Sequence, residues 1–160
     1  QFNLNKKYTY TDVCWLLNWK AEEVSLNIGG YKYDKYTNTY PIFINYDKSE
    51  EVNASIRYED RFIDQSSLIA ISKSQRTIAS DDVDNAIHAE ERQILMPLFV
   101  RKNKDDKTSK EFYFLGTIKH NGHLQEFIMP DTDKSAVEIG YHLNTPVENN
   151  LYEYITERTI

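Results

Sequence analysis

The chain has 160 residues, 40% of them apolar and 28% charged, which is enough apolar content for the core of one domain and too much for a disordered chain. Its 25 acidic and 19 basic residues give a net charge of −6, which argues against an autonomous, non-specific nucleic-acid binder but leaves room for a local basic patch. No apolar run is long enough to cross a bilayer, and no stretch has a signal-peptide pattern. The lone cysteine, Cys14, excludes an internal disulfide and favours a reducing, cytoplasmic location.

The first half of the chain predicts one short helix and several short strands. Residues 11–19 carry apolar side chains at helical spacing and offer Thr11 or Asp12 as a cap. In the stretch that follows, alternating apolar residues bounded by turn residues predict strands. These strands are expected at residues 31–33, 39–46, 55–62 and 68–72. In the second of them, four side chains are expected to share one inward face: Tyr40, Ile42, Ile44 and Tyr46.

The second half predicts two more helices and a long antiparallel hairpin. One helix is expected over residues 81–91 with Ser80 as its cap, and another over residues 145–155, where Thr145 and Glu148 form a capping box. Apolar runs at 94–102 and 111–119 flank a polar loop and predict the hairpin. Asn121-Gly122 indicates a tight turn, with further strands after it at 124–129 and 136–143.

These elements add up to about seven or eight strands and three short helices in a single domain spanning residues 1–160. Short strands joined by turns, with helices between them, favour an α+β fold. The expected architecture is a small, strongly bent mixed or antiparallel β-sheet, or a barrel-like core, flanked by the helices. Because the chain begins at Gln1, we expect it to be an excised piece of a longer protein.

A search for catalytic motifs finds little. The chain has no Gly-x-Ser-x-Gly nucleophile elbow and no phosphate-binding glycine loop, and Cys14 lies in an apolar stripe typical of a packing residue. The spacing of His120 and His123 is explained by the Asn-Gly turn between them better than by a metal. A metal-dependent nuclease core needs carboxylates and a lysine that converge on a metal, and the segment Glu138-Ile139-Gly140 lacks that lysine. We therefore expect a binding domain with no metal or cofactor of its own.

Four polar segments are richer in binding-type side chains than a core requires. They are residues 28–32, 58–62, 72–80 and 101–110. The second alternates aromatic and acidic residues, which suits stacking on a base and accepting from the amino group of cytosine. The third and fourth carry hydroxyls, an amide and cations, which suit phosphate oxygens. Each also has a purely structural interpretation as a turn, a surface ion cluster, a capped loop or a solvated loop.

In order along the chain, these segments are similar to the C-terminal domain of SauUSI-like modification-dependent restriction enzymes. The resemblance runs from about Tyr8 to Tyr154. It rests on the motifs Asp12-Val13-Cys14, Leu16-Leu17-Asn18-Trp19, Gly29-Gly30-Tyr31-Lys32, Pro41-Ile42-Phe43, Tyr58-Glu59-Asp60, Ser74-Gln75-Arg76-Thr77, Leu98-Phe99-Val100-Arg101-Lys102 and Phe112-Tyr113-Phe114-Leu115-Gly116. One departure is Ile71, where a tryptophan is expected in many relatives.

The resemblance implies that the chain is the target-recognition domain of a type IV restriction enzyme active in phage defence. The parent chain would carry a phospholipase-D-like nuclease and a helicase, which alone would need Mg and ATP. This domain would bind double-stranded DNA that carries 5-methylcytosine or 5-hydroxymethylcytosine, without cutting it. By analogy with small β-rich readers of modified cytosine, the base would be flipped into an aromatic pocket.

From these segments we predict a base pocket and a set of backbone contacts. The base pocket is assigned to Tyr31, Tyr58, Glu59, Asp60, Phe62 and Tyr113. The DNA-backbone contacts are assigned to Lys32, Lys73, Ser74, Gln75, Arg76, Thr77, Ser80, Arg101, Lys102 and Lys104. The alternatives are a protein-interaction or dimerisation module of the same enzyme, which the acidic balance favours, a binder of modified RNA, and a hydrolytic nuclease.

Overall fold

The structure, a computed structural model, describes residues 1–24, 31–46, 59–102, 110–130 and 132–157. Within these ranges the chain is an α+β fold with one seven-stranded sheet and short helices, as the sequence predicts. The strands are β1 Lys7–Thr9, β2 Ile42–Asn45, β3 Arg61–Asp64, β4 Ser67–Ile71, β5 Pro97–Arg101, β6 Glu111–Ile128 and β7 Ser135–Leu143. The helices are α1 Tyr10–Leu16, α2 Ala21–Val24, α3 Asp81–Ile87 and α4 Asn149–Thr156.

The sheet is mixed, with the order β2-β5-β6-β7-β4-β3 and with β1 paired to β6 outside this path. The β5–β6 pairing is antiparallel and confirms the predicted hairpin between two apolar runs, although the loop that joins them lies partly outside the described residues. The pairing of β2 with β5 is parallel, which brings a strand from the first third of the chain beside one from the middle. The long antiparallel pair β6–β7 forms the centre of the sheet.

The prediction of a tight turn at Asn121-Gly122 is wrong, because β6 continues through it. The register between β6 and β7 shifts between His120 and Leu124, so the extra residues form a bulge instead of a turn. Gly122 supplies the left-handed backbone at φ +100°. Across the pair, a Cβ on Gly140 would lie 2.7 Å from the Cβ of His123. The bulge therefore depends on Gly140 in the neighbouring strand β7. A turn prediction made from the local sequence alone does not consider that strand.

Two predicted helix starts are displaced. Helix α1 is capped by Thr9, whose Oγ1 accepts from the Asp12 backbone N–H at 3.1 Å while the Asp12 carboxylate accepts from Thr9 N–H at 3.2 Å. Helix α4 begins at Asn149 because the carboxylate of Glu148 caps it by accepting from the backbone N–H groups of Asn150 and Leu151, each at 3.0 Å. The short helix α2 has no counterpart among the predicted elements. No helix in the described ranges combines the length and the apolar character needed to span a membrane.

Among the described residues, the core consists of two clusters on opposite faces of the β2–β5–β6 part of the sheet. Successive residues of a strand face opposite sides, so Ile42 and Ile44 enter the main cluster whereas Phe43 enters the second. The main cluster contains all four side chains predicted to share a face in this strand, which confirms that prediction. The second cluster includes Cys14, fully buried as a packing residue, and a stacked Phe43–Phe99 pair with ring centroids 5.0 Å apart.

Candidate functional site

A cleft opens where the end of β4, the second half of β7, the start of α3 and the segment 31–40 meet. Its volume is about 280 Å³ when the solvent-open entrance is included, and its inner part is narrow. A planar ring that enters must therefore part the side chains that border it. The residues lining the cleft are Tyr31, Tyr40, Ala70, Ile71, Ser72, Lys73, Asp82, Val83, Ile139 and Tyr141.

A tight turn brings two of the three tyrosines to the cleft. Backbone bridges join Asp34 to Thr39 and Tyr31 to Ile42, so the chain reverses between Tyr31 and Tyr40. The buried carboxylate of Asp34 holds this turn by accepting from the backbone N–H of Thr37 at 3.0 Å. The two tyrosines therefore reach the cleft from the two arms of one turn.

The opposite wall comes from the sheet and from helix α3. Ala70 pairs with Ile139 in the β4–β7 ladder, which places apolar side chains of both strands at the cleft. After β4 the chain continues along β7, with Ser72 N–H donating to the carbonyl of Val137 at 2.9 Å. It then turns into α3, whose first residues carry Asp82 and Val83 into the lining.

Asp60 connects two parts of the cleft wall from behind. Its Oδ1 accepts from the backbone N–H of Ile71 at 2.7 Å, and its carboxylate lies 3.3–3.4 Å from the hydroxyl of Tyr31. Burial, and then the negative charge of Asp60, raise the pKa of Tyr31 well above its usual value. Tyr31 therefore stays protonated and donates to Asp60.

A second carboxylate, that of Asp82, borders the cleft directly. Its Oδ2 accepts from Nε of Arg76 at 2.7 Å, and its Oδ1 accepts from the backbone N–H of Val83 at 2.9 Å. The hydroxyl of Tyr40 donates to the backbone carbonyl of Asp82 at 3.3 Å. Burial raises the pKa of Tyr40, and the charge of Asp82 adds to this.

This set of groups suits one kind of ligand. Tyrosine rings offer flat faces for stacking, and the carboxylates offer acceptors for amino groups. Ala70, Val83 and Ile139 provide an apolar part of the lining. A small planar heterocycle with an amino group matches all three properties, whereas an anion would meet the Asp82 carboxylate in the lining and that of Asp60 behind it.

The structure brings some of the predicted pocket residues together and separates others. Tyr31 lines the cleft and bonds to Asp60, whose carboxylate lies behind the lining. Phe62 instead packs in the core, with its ring centroid 5.5 Å from that of Tyr46. Tyr113 lies on β6 under the ammonium group of Lys7, away from the cleft lining. Glu59 contributes a backbone carbonyl to Arg61 but does not line the cleft, and Tyr58 lies outside the described residues.

The predicted phosphate-contact segment 73–80 does flank the cleft. Lys73 is in the lining, and Ser74 and Gln75 are exposed beside it. Ser80 occupies the cap position of α3 as predicted, but its hydroxyl accepts from the backbone N–H of Thr77 at 2.9 Å and not from the helix. The segment is thus a folded rim of the cleft, with Arg76 held on Asp82.

The other predicted backbone contacts lie elsewhere. Lys32 forms an ion pair with Glu23. Arg101 donates through Nε to the Asn45 side chain at 2.9 Å and lies over the ring of Phe112. Lys102 is 3.5 Å from the carboxylate of Glu157. None of these three cations lines the cleft, and Lys104 lies outside the described residues.

Sequence reasoning missed three polar residues of the cleft, namely Tyr40, Asp82 and Tyr141. Tyr40 and Tyr141 stand at inward positions of alternating strands, where the pattern predicts core. Asp82 stands in the first turn of a helix, where an acidic residue is ordinary. For the two tyrosines, the sequence did offer one signal, the hydroxyl group. A buried tyrosine hydroxyl needs either a hydrogen-bond partner or an adjacent cavity.

The two histidines of the bulge do not meet in a metal site. Nε2 of His123 lies 2.7 Å from the carboxylate of Glu138, and Nδ1 of His120 lies 2.9 Å from the carbonyl of Gly140. In the part of the chain that the structure describes, no three His, Cys, Asp or Glu side chains are placed to share a metal ion.

Solved structures of SRA domains have the same fold. The SUVH5 SRA in complex with hemimethylated CG DNA superposes with a TM-score of 0.56 at 11% identity, covering 92% of each chain. The SUVH5 SRA with fully methylated CG DNA gives 0.53 at 10% identity, covering 91% of this chain and 92% of that one. Arabidopsis thaliana SUVH6 in complex with SAM gives 0.55 at 10% identity, covering 92% of this chain but 27% of that longer one.

Because these sequence identities are low, the structural comparison shows the fold alone: the chain has the same fold as SRA domains. The family model described as a domain of unknown function, DUF3427, matches residues 2–155, and the chain belongs to this family. No curated protein sequence matches the chain.

Proposed function

We propose that this chain is a DNA-binding domain that reads 5-methylcytosine, taking the base into the cleft between Tyr31, Tyr40 and Tyr141. The observation that carries the proposal is the cleft itself, which three tyrosines line and behind whose wall the Asp60 carboxylate is bonded to Tyr31. The fold supports it, because the SRA structures of the same fold include complexes with methylated DNA.

Each group of the cleft has a role in this proposal. The tyrosine rings stack on the flipped base, and a carboxylate accepts from its exocyclic amino group. Asp60 is assigned this role because two residues of the lining, through the Ile71 N–H and the Tyr31 hydroxyl, hold its carboxylate directly behind the cleft wall. The apolar side chains of Ala70, Val83 and Ile139 surround the methyl group.

The energies allow such a mechanism. Flipping costs a few kcal/mol, and stacking returns about 1–3 kcal/mol per base. Burying the methyl group adds about 0.8 kcal/mol, which corresponds to about fourfold discrimination. The narrow cleft adds selectivity if water is excluded around the methyl group.

The rim segment 73–80 supplies the backbone contacts. Lys73 and Arg76 lie next to the cleft, and the exposed Ser74 and Gln75 lie between them. Such side chains position a duplex without reading its sequence. Because the chain as a whole is acidic, this local rim has to provide the attraction.

The proposed context is a modification-dependent restriction enzyme, as the resemblance of the motifs implies. The chain would be its single target-recognition domain and would act beside the helicase and nuclease domains of the same polypeptide. In this role it binds DNA and leaves ATP hydrolysis and cleavage to those domains.

Fluorescence anisotropy with one duplex in two forms, unmodified and carrying 5-methylcytosine, tests the reader function at two salt concentrations. We expect tighter binding of the methylated form, by about fourfold or more. Tyr31→Ala should remove this preference. Tyr36→Ala is the matched control, because Tyr36 lies in the same turn but is 59% exposed and outside the cleft.

Other outcomes point to other functions. Equal, salt-sensitive binding of both duplexes would leave a module that contacts only the backbone. Competition by modified RNA but not by DNA would favour an RNA binder. Binding to neither, with self-association, would favour an interaction module.

A further inference from the structure

A chain of side-chain hydrogen bonds connects the turn beside the cleft to the residue that follows helix α1 and its C-terminal cap. The indole Nε1 of Trp19 donates to Oγ1 of Thr39 at 2.8 Å, and this hydroxyl lies 2.8 Å from Oγ1 of Thr37. The Thr37 hydroxyl donates to the carboxylate of Asp34 at 2.5 Å. Trp19, Thr39 and Asp34 are all buried, so these bonds form in an environment of low dielectric and are stronger than in water.

The chemistry of the four groups fixes the direction of this chain. An indole N–H only donates, and a carboxylate only accepts. The single hydrogen of the Thr37 hydroxyl goes to Asp34. The Thr39 hydroxyl therefore donates to Thr37 and accepts from Trp19. Removing the Thr39 hydroxyl breaks both of its bonds at once and takes the acceptor from a buried indole N–H.

Thr39 is the residue through which this chain acts on the cleft. The backbone N–H of Asp34 donates to the carbonyl of Thr39 at 2.8 Å, and the N–H of Thr39 donates back at 3.2 Å, which closes the turn. The next residue, Tyr40, lines the cleft and packs in the main core cluster. Trp19 packs in the second cluster, on the other face of the sheet. The indole therefore ties a cleft tyrosine to the core on the far side of the sheet.

The other arm of the turn contacts the same indole. Lys32, the residue after Tyr31, forms an ion pair with Glu23 of α2. Its Nζ lies 5.7 Å from the centre of the Trp19 ring, within the range of a cation–π contact. Trp19 thus contacts both arms of the turn, in each case at the residue next to a cleft tyrosine.

We propose that Trp19 is a positioning residue of the cleft, which clamps the two arms of the turn and so sets the orientation of Tyr31 and Tyr40 toward an entering base. The inference rests on the proposed function, because its effect is measured as recognition of the methylated base. Without the clamp the arms occupy several orientations. The apparent affinity then falls in proportion to the fraction of molecules that keep the binding orientation.

The test compares Thr39→Val, which removes the hydroxyl and keeps the shape of the side chain, with Thr39→Ser, which keeps the hydroxyl. Affinities are measured for matched duplexes with and without 5-methylcytosine. We expect Thr39→Val to bind the methylated duplex about three- to tenfold more weakly and the unmodified duplex within about twofold of wild type. Trp19→Phe, which removes the donor at the other end of the bond, should have the same effect. Thr39→Ser should stay within about twofold of wild type on both duplexes.

Val13→Ala is the matched control for a general loss of packing. Val13 is fully buried in the same cluster as Trp19, and its truncation removes no group of the hydrogen-bond chain. Thermal melts should show a lowered Tm for this variant, while its preference for the methylated duplex stays that of wild type. An equal loss of preference in Val13→Ala or in Thr39→Ser would overturn the proposal, as would full preference in a folded Thr39→Val.

Amide hydrogen exchange tests the clamp without DNA. The N–H of Asp34, which donates to the Thr39 carbonyl, should exchange about three- to tenfold faster in Thr39→Val than in wild type. Amides of the β6–β7 ladder should exchange at unchanged rates in the same experiment. Equal exchange of the Asp34 N–H in both proteins would overturn the proposal. If wild type does not distinguish the two duplexes but this exchange does accelerate, the reader function fails and the clamp on the turn stands.

Discussion

Substituting Asp60 by asparagine removes the charge of the proposed base-reading carboxylate and keeps its shape. The amide oxygen of the Asp60→Asn variant would still accept from the Ile71 backbone N–H, which Asp60 accepts at 2.7 Å. The second oxygen becomes an NH₂ group, which meets the amino group of a cytosine with a donor instead of an acceptor. The variant therefore separates base reading from the structural role of Asp60.

The expected magnitudes differ for stability and for binding. A hydrogen bond to a charged group contributes about 1.5–3 kcal/mol and a neutral one about 0.5–1.5 kcal/mol, so the fold should lose about 1 kcal/mol. In a domain of this size that lowers Tm by about 2–4 °C. Losing the charged bond to the base, also about 1.5–3 kcal/mol, cancels the stacking gain of about 1–3 kcal/mol. The flipped complex is then no longer favoured.

Anisotropy titrations of matched duplexes measure this effect as a ratio of two Kd values. The preference of wild type for the methylated duplex should fall to less than about twofold in Asp60→Asn, while binding of the unmodified duplex stays nearly unchanged. Asp64→Asn is the control, because it makes the same charge change four residues further along on the exposed side of β3.

One result would refute this reasoning. If Asp60→Asn melts within a few degrees of wild type and keeps the full methyl preference, Asp60 does not read the base. The cleft could then still bind cytosine through Asp82, and the assignment would move to that carboxylate.

Three further predictions concern the rim, the bulge and the tyrosines. Arg76→Ala should weaken binding of methylated and unmodified duplexes alike. It should also reduce the slope of log K against log salt concentration by about 0.9, because one phosphate contact is lost. An unchanged slope would show that Arg76 does not contact the DNA backbone. Gly140→Ala should lower the free energy of unfolding by about 1–3 kcal/mol in urea titrations, because its Cβ would crowd the bulge; a loss below about 0.5 kcal/mol would contradict this packing. Because the pKa values of Tyr31 and Tyr141 are raised from 10.0 in the folded state, the unfolded state releases these protons first, so stability should hold below about pH 10 and fall above it. Urea midpoints at about pH 9 and pH 11 check this, and equal midpoints would speak against it.

Much of the fold is encoded locally. The alternation in residues 136–143 predicts β7 and its inward face, and the structure buries Val137, Ile139, Tyr141 and Leu143. The same holds for the face of β2 and for the start of α3 after Ser80. These features depend on the period of apolar residues and on a cap, both of which are readable within about ten residues.

The parts that local patterns missed depend on residues distant in the chain. Asn121-Gly122 has the sequence of a hairpin turn, but Gly140 on the neighbouring strand leaves room for a bulge, and β6 continues. The parallel pairing of β2 with β5 likewise joins two segments that are far apart in the chain, and the local sequence of neither segment indicates its partner.

The sequence by itself predicted the fold class and the inward faces of β2 and β7, and it named Tyr31 and Lys73, which the structure places in the lining of the candidate cleft. Only the tertiary structure decided that Tyr40 and Tyr141 join them. A periodic pattern shows which side chains point inward, but it does not show whether the space they face is filled by a neighbouring element. Here β4, β7, α3 and the turn at 31–40 meet without closing completely, and the space between them is the cleft.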